Sequence, residues 1–482
     1  MKNLLFIFFN KYTIIIIGID RLGWCSMIKC PNCGAELEFN AKSQLVTCEY
    51  CRSTFNPKEL NEKVHVSEEI EQFEGRSYLC SQCGASLLTF DETAITFCSY
   101  CGSQAMIESK MVKQNNPEYI IPFKKTKEEC IASYKKILSK SLFAPSYMKS
   151  DIVVSKFRGI YIPYCVYKTS FHGKTSNNGS KYKYRSGDYE YYDDYTVHAY
   201  VDADYDGVSY DLLSNFYDKF SHAIPHNFKE AEKFNPNYLT GFYADTSDVN
   251  SDVYSSIAKF VTSGDASSHL RKRREFLRYG CTNPKVGLQV EDKKTAMYPM
   301  YFLALRTKDN KHVNYAVVNG QTGKAVADIP IDFKKYILFA LILTIPIFLL
   351  INNFLVVTPK SVCFFSIIIA FVSMIISISQ VKSINNRETH QDDLGYIYKN
   401  YSNKKETNKT GIFKYIYKPL IAIIIGILVI LANFVNDIYY YGASIITFVL
   451  IILSFYDLVK EHNLLVSSKL PQLEKRGGDL DA

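Results

Sequence analysis

Eight of the thirteen cysteines fall into two quartets of identical spacing. Cys30, Cys33, Cys48 and Cys51 form C-x2-C-x14-C-x2-C, and Cys80, Cys83, Cys98 and Cys101 repeat it fifty residues later. Each C-x2-C knuckle can turn two thiolates toward one ion, and four thiolates close a tetrahedral site of the kind that holds structural Zn2+. Two structural zinc ions are therefore the expected cofactors, with an iron centre as the neighbouring chemistry. A disulfide framework fares worse, because C-x2-C pairs commonly hold metal or redox centres and no plausible signal peptide leads into an exported domain. A thioredoxin-like dithiol would need one such pair opening a helix after a strand, and neither copy has that context.

The elements that must hold such sites are tight turns and a short hairpin. In the leading knuckles, Cys30-Pro31-Asn32-Cys33-Gly34 and Cys80-Ser81-Gln82-Cys83-Gly84, the glycines can take the positive φ that turns backbone amides toward sulfur. The closing knuckles are Cys48-Glu49-Tyr50-Cys51 and Cys98-Ser99-Tyr100-Cys101-Gly102. The residues between knuckles fit a β-hairpin, with Leu37, Phe39, Leu45 and Thr47 in the first copy and Leu87, Ile95 and Phe97 in the second. The same offset aligns Ala35 with Ala85 and Tyr50 with Tyr100, an internal duplication. The expected units are two rubredoxin-like zinc ribbons, 27–57 and 80–116, joined by an acidic linker at 58–79. Units this small bury little apolar surface, so metal must supply much of their folding energy.

Charge bears on what such ribbons bind. Residues 27–57 hold three basic and three acidic groups, and residues 58–116 hold five basic and nine acidic, including Glu68, Glu69, Glu71 and Glu74. A surface that tracks phosphates needs clustered Lys and Arg, so this region disfavours nucleic acid and favours a protein partner. The whole-chain charge of +8 counts the ligand thiols as neutral, and much of it lies beside apolar segments.

Those segments form an all-α four-helix transmembrane region, 333–460, with spans expected at about 336–357, 361–381, 417–435 and 439–456. Lys334 and Lys335 precede the first span. The loop 382–416 holds Lys382, Arg387, Lys399, Lys404, Lys405, Lys409 and Lys414, with Lys418 just beyond it, and Lys460, Lys469, Lys475 and Arg476 follow the last span. The other two turns carry only Lys360 and Asp437. The positive-inside rule places the ribbons, the central domain, this loop and the tail 461–482 in the cytoplasm, as a multi-pass protein of the cell membrane. Reduced thiols agree with that side. No buried charge lies within these four spans, which therefore read as an anchor in the lipid bilayer rather than a transport path. Residues 1–26, with FIFF and TIIIIGI interrupted by Lys11, read as an over-extended start ahead of Met27 or an apolar leader.

Residues 117–332 read as an α+β domain with mainly antiparallel sheet. A helix is expected over 126–139, with Ile131, Tyr134, Ile137 and Leu138 on one face. Arg158 to Phe171 reads as a strand, with Pro163 marking an edge or bulge. Residues 182–210 interleave nine tyrosines with acids, and 196–201 alternates as a strand. Two helices are expected next, one capped by Asp248 or Ser251 and running to about 262, the other at about 266–279 and ending at Gly280. Two strands follow over 297–326, with a turn at Asn319-Gly320-Gln321-Thr322-Gly323.

Catalytic chemistry finds little support here. Asp202, Asp204 and Asp206 fall at period two and could share a strand face around a divalent ion, but such spacing is common on solvated strands. His172, His198, His222 and His226 show no H-E-x-x-H spacing, and no G-x-S-x-G elbow, phosphate loop or dinucleotide fingerprint occurs. Cys130 and Cys165 read as core residues. Arg271, Lys272, Arg273, Arg274 and Arg278 form the domain's one dense basic cluster, read as a solvated face near anionic lipid, with a nucleic-acid patch as the sharper alternative.

With CPNCG at Cys30, GIYIPY at 159–164, Tyr298-Pro299-Met300-Tyr301 and YAVVNGQTGKAVAD from Tyr315 to Asp328, the chain resembles uncharacterised bacterial membrane proteins with transcription-factor-IIB-type zinc ribbons. The similarity covers most of 27–335, and Asn319, Gly320, Gly323 and Lys324 match the family phrase, to which no catalytic role attaches. Cys51-Arg52, where the pattern has glycine, departs from it. The expected protein is a non-enzymatic membrane protein whose ribbons and cytoplasmic domain mediate protein–protein assembly. Membrane-tethered nucleic-acid binding and a metal-assisted enzyme using Asp202, Asp204 and Asp206 are the alternatives.

Overall fold

The computed structural model describes residues 29–63, 72–83, 85–90, 95, 97–104, 106–214, 216–307, 312–354, 358–388 and 413–469, plus the strand pair Phe8–Asn10 and Thr13–Ile15. The reading of 1–26 as leader or false start otherwise lies outside them. So do residues 64–71 of the acidic linker, Gly84, most of the basic loop and residues 470–482 of the tail.

The first cysteine quartet is carried by a three-stranded sheet, β1 (Leu37–Asn40), β2 (Leu45–Cys48) and β3 (Thr54–Phe55), followed by helix α1 (Pro57–Lys63). Leu37 and Phe39 alternate with exposed Glu38 and Asn40, so one face of the hairpin is buried. The second quartet lies on β4 (Gln72–Cys80), β5 (Ser86–Thr89) and β6 (Met106–Asn115). These three strands belong to the main sheet. Strand β4 begins at Gln72, inside the stretch expected as linker.

That mixed sheet has twelve strands. Besides the three above they are β7 (Tyr119–Ile120), β8 (Arg158–Ser186), β9 (Tyr189–Asp211), β10 (Glu232–Lys233), β11 (Tyr243–Asp245), β12 (Gln289–Arg306), β13 (His312–Asn319), β14 (Ala325–Ala327) and β15 (Ser468–Lys469). The main path runs β10-β7-β12-β8-β11-β5-β4-β6, with β9 on β8 and β13 on β12. Pairing is antiparallel except for β8 with β11 and β12 with β7. The phrases at 159–164 and 298–301 are neighbours in the centre, with Tyr161 opposite Pro299 and Pro163 opposite Met297. Pro163 is therefore no edge residue. On its other side, pairing with β11 ends at Tyr161 and pairing with β9 begins at Tyr164, so the missing N–H falls at the gap.

Central strands are buried on both faces. Along β12, Met297, Tyr301 and Leu303 join one core with Phe123, Tyr134 and Phe157, while Tyr298, Met300 and Phe302 join the other with Tyr164, Phe220 and Tyr315. Helix α2 (Lys127–Lys140) covers the first face, and its Thr126/Glu129 capping box fixes the start; the short helices α3 (Asp151–Val154) and α4 (Asp218–Ala223) come next. Strands β8 and β9 extend as one long hairpin, so the expected strand at 158–171 runs on to Ser186 and the tyrosine-rich stretch is its return. Tyr182 faces Tyr192 and Tyr184 stacks on Tyr191 near the tip, cross-strand pairs that hold register.

The two helices expected over 248–279 are one long and one short, α5 (Ser255–Arg271) and α6 (Arg274–Arg278). Neither Asp248 nor Ser251 caps α5; it starts after Tyr254 without a side-chain cap. Just past α6, Gly280, at φ +64, lies so close to Ser180 of the hairpin that a Cβ would collide with the backbone.

C-terminal to the sheet lie α7 (Phe333–Phe354), α8 (Pro359–Glu388), α9 (Phe413–Ala432) and α10 (Ile438–Val466). Three helices among the described residues are long and apolar enough to cross a membrane, over Pro359–Asn386, Phe413–Ala432 and Ile438–Val466. They pack through small residues: Gly426 admits Ile367 so closely that a Cβ would collide, and Ala370, Ala422 and Ile451 meet beside it. Asn463 of α10 accepts from and donates to the Ile331 backbone at 2.7 and 3.0 Å, and β15 pairs with β13, tying the helices to the sheet.

Candidate metal centres

Each quartet brings four sulfurs together, all within 4.8 Å of one another. Cys30 and Cys51 lie 3.5 Å apart, as do Cys33 and Cys48; the matching pairs Cys80–Cys101 and Cys83–Cys98 lie at 3.6 Å. A zinc–sulfur bond of about 2.3 Å gives a tetrahedron with edges of about 3.8 Å, whereas a disulfide needs about 2.0 Å. All eight are free thiols. Spacing and donor set fit a tetrahedral ion such as zinc, and both quartets fit it alike.

The knuckles explain the spacing. In all four, the first cysteine's amide donates to a carbonyl five residues on: Cys30 to Ala35, Cys48 to Ser53, Cys80 to Ala85 and Cys98 to Ser103. Gly34 and Gly102 take positive φ, as the turn requires. Arg52 occupies the corresponding position of the second knuckle at φ +59, and its amide reaches the Cys48 carbonyl at 2.9 Å as that of Gly102 reaches Cys98. The glycine missing from the pattern leaves the turn intact at the cost of a left-handed arginine, roughly 1 kcal/mol.

Four crowded thiols cannot all ionise independently. In the first quartet hydrogen bonds from the Ser53 hydroxyl and amide draw Cys51 down to about 6, while Cys33, despite the Ala35 amide that lowers it, is pushed up to about 12 by its thiol neighbours and partial desolvation. The quartet thus offers thiolate to a cation at neutral pH, and a bound ion completes the deprotonation.

The quartets differ in their surroundings. Cys33 and Cys51 face solvent, while all four thiols of the second quartet are buried. Strand β5 pairs with β11, placing the second site inside the main sheet. Tyr100, fully buried, donates to Asp245 Oδ2 at 2.5 Å, and burial first, then that carboxylate, pushes its phenol well up. Tyr315 donates to the Tyr100 carbonyl at 2.6 Å, and Arg306 donates to the Cys101 carbonyl at 2.6 Å. The first quartet's hairpin packs Leu37, Phe39 and Val46 into the core that holds Phe123 and Tyr161, while two of its thiols stay at the surface. Phe39 donates its amide to Thr240, Gln44 reaches the Phe123 carbonyl at 2.7 Å, and Asn235 and Asn237 both donate to the Pro57 carbonyl. Its knuckle tyrosine, Tyr50, is 83% exposed.

The remaining sequence-derived candidates resolve individually. His172 stands opposite Asp202 across the hairpin, bonded to it through Nδ1 and 3.4 Å from Asp204 through Nε2. The sequence spacing did not reveal this group; only the β8–β9 register does. The cluster is exposed, and the Asp202 hydrogen bond raises the histidine. His198 bonds Ser176 at 2.7 Å on the exposed hairpin surface. His226 lies against Tyr298 and Pro299, and burial lowers it to about 4. Cys130 and Cys165 are buried and burial raises both, the opposite of an activated nucleophile. Arg271, Lys272, Arg273, Arg274 and Arg278 are all exposed.

The phrase from Tyr315 to Asp328 has a structural task. Asn319 is buried, donates to the Ile224 and Pro225 carbonyls and accepts from the Gln321 and Thr322 amides, closing the turn on a neighbouring loop. Gly320 packs so tightly on Phe123 that a Cβ would collide, and Gly323 takes φ +75. Buried Asp328, pushed up by burial, pairs with Lys219 at 2.9 Å.

Fold and sites together define a protein with membrane-type helices, a mixed sheet domain and two four-cysteine metal sites. The sequence is similar to the uncharacterized protein YdjG of Bacillus subtilis (strain 168), 25% identical over 314 residues, which cover 64% of this chain and 91% of that relative. No family model matches the chain, and no solved structure matches it.

Proposed function

We propose that this is a non-enzymatic integral membrane protein whose two zinc ribbons and sheet domain assemble protein partners at the cytoplasmic face of the membrane. The observation that carries this is the pair Tyr50 and Tyr100, which occupy the same position in the two quartets, read here as duplicated rubredoxin-like ribbons of the transcription-factor-IIB type. Tyr100 docks into the sheet domain, bonded to Asp245, whereas Tyr50 stands 83% exposed beside its solvent-facing thiols. The second ribbon is used up internally, and the first presents the same knuckle to a partner. The acidic character of 58–116 favours a protein over a nucleic acid there.

Capture of partners from gently solubilised membranes, comparing the intact chain with Tyr50→Ala, tests the reading without disturbing either metal site. Loss of specific partners in the variant is expected; identical partner sets, or none, would refute it. In this reading α7 is a fourth span, giving two hairpins with the basic loop and both ends inside. An impermeant thiol reagent should then reach Pro359→Cys and Ile438→Cys in intact cells but spare Asn400→Cys. The exposed Arg271–Arg278 cluster favours one second reading, membrane-tethered nucleic-acid binding, which predicts retention on DNA or RNA that falls steeply with salt.

A further inference from the structure

Helices α8 and α10 meet along a polar seam with a strict seven-residue repeat. Tyr440, Thr447, Ser454 and Glu461 succeed one another on α10, and Ser366, Ser373 and Gln380 on α8. Thr447 donates to Ser366 Oγ at 3.1 Å, and the Ser373 and Ser454 hydroxyls lie 3.3 Å apart. The same register sets Gln380 opposite Glu461. Seven residues advance a helix by about 10 Å, so the seam from Tyr440 to Glu461 covers about 31 Å, the thickness of a bilayer's hydrocarbon core. Expecting the last span to end at 456 missed this, because the apolar run stops there while the helix continues to Val466.

Glu461 is fully buried, and among the described residues neither of its carboxylate oxygens has a hydrogen bond of good geometry. Ser377, itself fully buried, lies beside it within reach of the carboxyl, and Gln380 Oε1 is buried and without a partner among the described residues. Among the described residues no cation is paired with the carboxyl. Lys418 of α9 is taken by Asp457 at 2.6 Å. Lys382 of α8, Lys414 of α9 and Lys460 of α10 are exposed, His462 is half-buried, and His312 and Lys469 belong to the strand pair beyond the helix.

An ionised carboxylate and an amide oxygen are both acceptors, so the deprotonated cluster has too few donors and an uncompensated buried charge. A hard metal cation would want about six or more oxygens, and Glu461, Ser377 and Gln380 supply four. One proton on the carboxyl satisfies the group: its O–H donates toward Gln380 Oε1, and the Ser377 hydroxyl donates to the other carboxyl oxygen. We propose that Glu461 is a proton-binding site of the membrane bundle, at the sheet-domain end of the seam. It rests on the helices α8, α9 and α10 lying in a membrane, and on neither the ribbons' partner nor their metal. Two residues on, Asn463 clamps Ile331, so loss of the proton would act next to the joint between bundle and sheet.

Infrared difference spectra of the full chain in nanodiscs test this. A protonated-carboxyl C=O band present at neutral pH should disappear in Glu461→Gln and shift in frequency in Ser377→Ala. A wild-type spectrum without that band, or a band unchanged by Glu461→Gln, would overturn the proposal. So would a band that responds to sodium rather than to pH. Should Glu461→Gln fail to fold, the wild-type chain decides: a hydrophobic carbodiimide, which reacts with protonated carboxyls in lipid, should modify Glu461, and an unmodified Glu461 peptide beside intact helices counts against it.

Discussion

One motif appears twice in this chain with the same sulfur geometry and opposite surroundings. The quartet at Cys80 is built into the twelve-stranded sheet, all four thiols buried and Tyr100 locked to Asp245. The quartet at Cys30 keeps its own three-stranded sheet, turns Cys33 and Cys51 to solvent and leaves Tyr50 free. Identical coordination chemistry can therefore serve as an internal staple in one copy and as a presented surface in the other. What decides is which neighbours the knuckle touches, not the ligands.

The largest expected effect separates the two sites by ligand removal. Cys98→Ser should abolish cooperative unfolding of the whole sheet domain, because a structural zinc ion contributes about 10 kcal/mol or more and domain stability is of the same order. Cys33→Ser should cost only the 29–56 unit. Limited proteolysis in detergent distinguishes a domain-wide loss from a local one, and equal losses would break the comparison.

A smaller effect is expected at the paired tyrosines. Tyr100→Phe removes a buried hydrogen bond to a carboxylate and should cost about 1–3 kcal/mol, read as a lowered Tm, while Tyr50→Phe should leave Tm unchanged. A pH titration isolates the sheet from the ribbons. Burial holds His226 at about 4 against an ordinary 6.5, so the unfolded chain binds the proton first as pH falls. Stability from this group is full above about 6.5 and declines toward 4, and His226→Gln should flatten that stretch of the Tm–pH curve. The smallest effect lies at the second knuckle: Arg52→Gly relieves a left-handed residue and should raise stability of the first unit by less than about 1 kcal/mol. Gly102→Arg at the matching position should destabilise, since a Cβ there sits 3.2 Å from the Ala304 carbonyl oxygen.

Local pattern made much of this legible. Spacing identified both quartets, the Thr126/Glu129 capping box fits the helix expected at 126–139, and the glycines of 319–323 mark the turn they make. Features that depend on distant register did not show. Nothing near Leu87 and Leu88 announces that β5 will pair with Ala244 and Asp245, because an edge finds its partner through unpaired backbone groups that every strand shares. His172 meets Asp202 only because a long hairpin aligns them. Glu461 lay past the apolar run, and its burial depends on the facing helix.

Zinc content combined with thiol labelling tests the central contrast most directly. The purified full chain should carry two zinc ions, and brief chelation followed by alkylation should mark Cys33 and Cys51 well before Cys80, Cys83, Cys98 or Cys101. A single ion per chain, or both quartets opening together, would contradict one shared coordination chemistry in two different settings.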